Sequence, residues 1–156
     1  MLARKSKELA GVTIVAVILA GLAWAALRGG RGYGLWVLGM TAVPVAAARV
    51  ARLDLLTLVP DALFGAIDTG LLTFAALIGA STYGVVGAIV GGVVGDAITD
   101  GIAGFFEGRI AEWLRAKGID DSRTAVGSAC GKMAGCLAGS GLVLTAAMLC
   151  GASVLA

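Results

Sequence analysis

The sequence predicts an all-α fold: a polytopic membrane helix bundle of about five transmembrane helices. Three observations predict it. Of the 156 residues, 59% are hydrophobic and only 14% are charged. The mean hydropathy is +0.97, far from the soluble balance. The apolar residues also gather in long runs, separated by short segments that hold most of the Arg and Lys, and such runs are what a hydrocarbon core about 30 Å thick demands of a helix. At this length the chain makes one transmembrane domain, residues 1–156, with no room for a second soluble one.

The first span covers 9–27 and follows a start that carries Arg4, Lys5 and Lys7. The turn "RGGRGYG" leads into a second span, 33–48. The mixed segment "ARVARLD" and Pro60 precede the third span, 62–80, after which "STYG" turns the chain. The fourth span covers 84–106. Helical patterning continues beyond it through "EGRIAEWLRAKG", where Ile110, Trp113 and Leu114 share one face. A cytoplasmic helical extension over 107–118 is therefore expected, ended by Gly118. "IDDSRT" forms the next loop, and Ser122 or Thr124 caps a fifth span over 125–155.

Arg and Lys flank the N-terminus, the 49–52 loop and the 109–123 segment, whereas only Arg28 and Arg31 lie on the other side. By the positive-inside bias the N-terminus is cytoplasmic, and a cell inner membrane is the expected location. The small-residue triplet "AWA" at 23–25 leaves a cleaved signal as the alternative for the first span. The net charge of +2 gives no reason to expect a nucleic-acid partner. The absence of His removes imidazole chemistry, and with no nucleophile motif or phosphate loop the chain is not expected to be an enzyme. Cys130, Cys136 and Cys150 are odd in number, lie in apolar surroundings and read as packing residues.

The 25 glycines are patterned. Gly87, Gly91 and Gly95 repeat every four residues in the fourth span, as do Gly127, Gly131, Gly135 and Gly139 in the fifth. Such glycine-zipper ridges let helix backbones approach closely in lipid, either within one chain or between copies in a homo-oligomer.

The same fourth span carries Asp96 and Asp100 on a stripe with Gly92, Gly104 and Gly108. An acid inside a span costs on the order of 3 kcal/mol by insertion scales and so calls for a function and a partner. The third and fourth spans are antiparallel neighbours, so Asp68 and Asp100 are expected at one level, each roughly 10 Å inside the cytoplasmic end, with Asp96 one turn deeper. Asp61 and Glu107 are expected to flank the cytoplasmic mouth. Lys132 in the fifth span falls near the same depth and can neutralise one acid; protons or a cation must balance the rest. Oxygen donors suit Fe2+ or Mn2+ better than Cu+.

The third and fourth spans resemble the first two spans of the vacuolar iron transporter family. That family reads "G-x-x-D-G-[IL]-x-T-x-F-A" in its first span, and "FGAIDTGLLTFAALIGA" supplies Asp68, Thr73, Phe74 and Ala75, with the glycine after the acid displaced to Gly70. Its second span holds an acid followed by "DG-[IL]", which "GDAITDGIAGFFEGRIAEW" matches through Asp96 and then Asp100, Gly101 and Ile102. Gly104 stands where the family has a ligand methionine, and two spans precede the matched region. The resemblance implies that Asp68 and Asp96 are transport-site carboxylates and that Glu107 and Glu112 correspond to cytoplasmic metal-collecting glutamates. It further implies a dimer and proton-coupled exchange of iron or manganese, with no tightly bound cofactor.

Transport of Fe2+ or Mn2+ is thus the expected function. The alternatives are a membrane scaffold or assembly subunit, whose acids meet a partner's basic residues, and a small oligomeric cation channel. Besides the lipid bilayer, the expected partner is a second copy of the chain or another membrane protein.

Overall fold

A computed structural model describes residues 2–29, 32–116 and 124–151. All regular elements among them are helical: α1 (Leu2–Gly29), α2 (Tyr33–Met40), α3 (Ala42–Val50), a 3-10 turn (Leu55–Leu58), α4 (Val59–Ala116) and α5 (Ala125–Leu149). Four helical stretches are long and apolar enough to cross a membrane, over Lys5–Gly29, Tyr33–Val50, Leu55–Ile102 and Ala125–Leu149.

The third of these is 48 residues long. At 1.5 Å per residue it would reach about 70 Å, more than twice a bilayer core. It folds back on itself instead. Tyr83 and Gly84 leave helical geometry, and Gly84 takes φ 60° and ψ −141°, a conformation that costs glycine little and other residues much. The turn expected at "STYG" thus divides α4 into a first limb, 59–82, and a second limb, 85–116, the two stretches read from the sequence as the third and fourth spans.

The register of this hairpin follows from its small residues. A side chain at Gly87 would run into the backbone of Gly79, one at Gly91 into Ala75, and one at Gly95 would meet Ala75 and Leu72 at 3.0 and 3.4 Å. The limbs therefore touch backbone to backbone, as antiparallel helices with small residues at four-residue spacing can. α5 lies against the first limb in the parallel sense: Gly131 meets Leu58 and Asp61, Gly135 meets Ala62, and Gly139 meets Ala66. Mid-interface, the Thr73 hydroxyl donates to Ser140 Oγ at 2.9 Å. On another face of α5, Gly141 packs on Leu38 and the Thr145 backbone on Gly34, which fixes α2 antiparallel to α5.

At the end of the bundle where α3 stops and α5 begins, Ala48, Leu58 and Cys130 form a buried apolar cluster with Leu53, Leu55 and Val126 around it. Most other large apolar side chains face outward, Ile67 (64% exposed) and Val93 (65%) among them, as helices solvated by lipid require. α1 is peripheral and buries little beyond Val15 and Ala26.

Three boundaries differ from the sequence reading. The second span divides at Thr41 into α2 and α3, because Pro44 has no N–H to offer the Met40 carbonyl. The fifth helix, expected to 155, ends at Leu149, where Cys150 caps it and Gly151 takes φ 71°, the left-handed stop; residues 152–155 lie outside the described residues. α1 starts earlier than residue 9 and holds Lys5 and Lys7 in its opening turns. The extension expected over 107–118 is helical through Ala116, and residues 117–118 lie outside the described residues.

Thr124 caps α5 as its position suggests, its hydroxyl accepting from the Gly127 N–H at 3.1 Å. Thr124→Ala is expected to cost about 1 kcal/mol, read as a lower unfolding midpoint in detergent, and Thr124→Ser is expected to restore it.

Candidate functional site

The hairpin register that sets Gly79 against Gly87 and Ala75 against Gly91 brings Asp68 level with residues 98–99, two turns further toward the open end. There Asp68, Asp96 and Asp100 each present a carboxylate oxygen, and the three oxygens lie within 4.8 Å of one another. The two acids of the second limb come together because they are four residues apart, and the third is supplied from the opposite limb. Asp68 is half-buried and Asp100 exposed.

Thr99 sits inside this group and is only 5% exposed. Its hydroxyl donates across the hairpin to Asp68 Oδ1 and also lies 3.0 Å from the backbone carbonyl of Asp96.

Like charges this close oppose one another. Two ionised carboxylates at 4.8 Å repel by about 3 kcal/mol at an effective dielectric of about 20. Bound protons remove that repulsion, and so does a cation among the oxygens. An all-oxygen donor set suits hard or borderline divalent ions. The thiols stand apart from it: Cys130 is buried in the apolar cluster, and Cys136 lies against Gly65 at the α5 contact.

The remaining expected residues fall elsewhere. Asp61 was expected at an open mouth but is only 2% exposed, because Gly131 has no side chain and lets α5 settle onto it. Lys132 was expected to balance the acids; it is exposed, and its ammonium lies 4.9 Å from the centre of the Phe64 ring, a favourable cation–π contact. Glu112 is exposed on the extension, about 18 Å along the helix from Asp100. Glu107 occupies a helical position of α4, and its side chain lies outside the described residues.

Two features escaped the sequence reading. Thr99 is one, although it stands between the two acids on a helix whose neighbouring turns are Gly and Ala. The other is the hydroxyl bridge from Thr73 to Ser140, which joins the first limb to α5. Small polar residues facing a glycine ridge are the signal for both.

Helix length, apolarity and packing together define an all-α integral membrane protein with a carboxylate cluster in its central hairpin. No family model matches the chain, and no curated protein and no solved structure matches it.

Proposed function

We propose that the protein carries a divalent cation, iron or manganese, across the membrane by way of Asp68, Asp96 and Asp100. One observation carries this reading: three carboxylate oxygens from two antiparallel limbs lie within 4.8 Å of one another in a hairpin apolar enough to cross a membrane. Acids at such positions are expensive unless something positive meets them. Lys132 lies over Phe64, so protons and a cation are the natural counter-charges. Competition between them for the same oxygens would couple cation movement to a proton gradient. The resemblance of the third and fourth spans to the vacuolar iron transporter family supports the same reading.

A second reading has one observation of its own. Asp100 is exposed on the outside of the hairpin, where a second copy of the chain or another membrane subunit can cover it. In that reading the acids meet a partner's basic residues and no ion moves.

Vesicles reconstituted with the purified protein separate the two. Transport predicts Mn2+ uptake or release above that of protein-free vesicles, with a rate that changes when an imposed pH gradient is reversed. A subunit without transport activity predicts flux at the protein-free level and co-purification with a stoichiometric partner.

A further inference from the structure

We infer that Thr99 is a positioning residue for the Asp68 carboxylate, a role that rests on the cation-binding reading above. Thr99 is 5% exposed although Ile98 and Asp100 on either side of it are exposed. Its hydroxyl therefore points into the hairpin, where it donates to Asp68 Oδ1 on the opposite limb. The Thr99 hydroxyl oxygen also lies 3.0 Å from the Asp96 carbonyl, so the hydroxyl is held between an acceptor on each limb.

The chemistry of this donor suits a cation site. A hydroxyl fixes one oxygen of Asp68 without adding positive charge, so the cluster keeps its full attraction for a cation. A Lys or Arg in the same place would hold the carboxylate equally well but would cancel part of that charge. With Oδ1 engaged, the Asp68 carboxylate is held in one orientation beside Asp96 and Asp100. A carboxylate fixed before the ion arrives loses less rotamer freedom on binding, which strengthens affinity.

Binding of Mn2+ alone to the purified full chain, followed by the electron paramagnetic resonance signal of the free ion, tests this. Thr99→Val keeps the shape of the side chain and removes the donor; Thr99→Ala removes it without filling the space; Thr99→Ser keeps it. The expected result is at least about a tenfold rise in Kd for the Val and Ala variants, equivalent to about 1.4 kcal/mol, with Ser close to wild type. Thr73→Val removes the hydroxyl bond to Ser140, and its Kd is expected to stay within about twofold of wild type.

Three results would overturn the inference: wild-type affinity in both donor-less variants, an equal loss in Thr73→Val, or a Ser variant as weak as the Val variant. If either donor-less variant fails to fold, the other decides. Asp68→Asn tells the two levels apart. Loss of Mn2+ in Asp68→Asn with wild-type binding in Thr99→Ala removes the role of Thr99 and keeps the cation site, whereas wild-type binding in Asp68→Asn removes the site and the role of Thr99 with it.

Discussion

Asp68→Asn and Asp96→Asn are each expected to reduce Mn2+ flux in reconstituted vesicles to the protein-free level. The physical reason is the combination of charge and place. An amide retains one oxygen donor but loses the full negative charge, and in a low-dielectric segment that charge is most of what a divalent ion gains. Removing one acid of three also removes repulsion between carboxylates at 4.8 Å, so the variants are expected to fold at least as well as wild type. Loss of flux with unchanged or higher stability is the combined outcome that marks a functional acid; lower stability with unchanged flux marks a structural one.

Gly135→Ala is expected to destabilise the bundle by at least about 2 kcal/mol, whereas Gly39→Ala is expected to stabilise it by about 0.5–1 kcal/mol. The substitution is the same, and the surroundings reverse the sign. A Cβ at Gly135 would sit 2.7 Å from the Ala62 carbonyl carbon and 2.8 Å from its Cα, backbone atoms that move only if α5 leaves the first limb of α4. A Cβ at Gly39 has nothing within 4 Å, so the gain in helix propensity is felt alone. Unfolding midpoints of the two variants in one detergent, compared with wild type, check both signs at once.

The helices were legible because long apolar runs leave the backbone few alternatives to helix in lipid, and the turn at Gly84 was legible because "STYG" interrupts one of them. The meeting of Asp68 with Asp100 followed from antiparallel neighbours joined by a short turn. The division at Thr41 was missed, since the strong hydropathy of the second span hid the effect of Pro44 on its hydrogen-bond ladder. The burial of Asp61 was missed because it depends on which helix covers the first limb. Sequence spacing gives the Gly131, Gly135 and Gly139 ridge but not its partner, and only the observed contact with Leu58, Asp61, Ala62 and Ala66 explains why an acid at the start of α4 lies beneath α5. Lys132 was expected near the depth of Asp68, but its backbone lies beside Gly65, nearer the start of the first limb, and its exposed side chain turns to the Phe64 ring.

The most direct measurement of the central claim is the metal content of the protein after gentle detergent purification and equilibration with Mn2+, compared between wild type and Asp96→Asn. A cation held by Asp68, Asp96 and Asp100 predicts saturable binding to wild type and none to Asp96→Asn, with both eluting as the same folded species. Equal metal content in the two, or none in either, would contradict it.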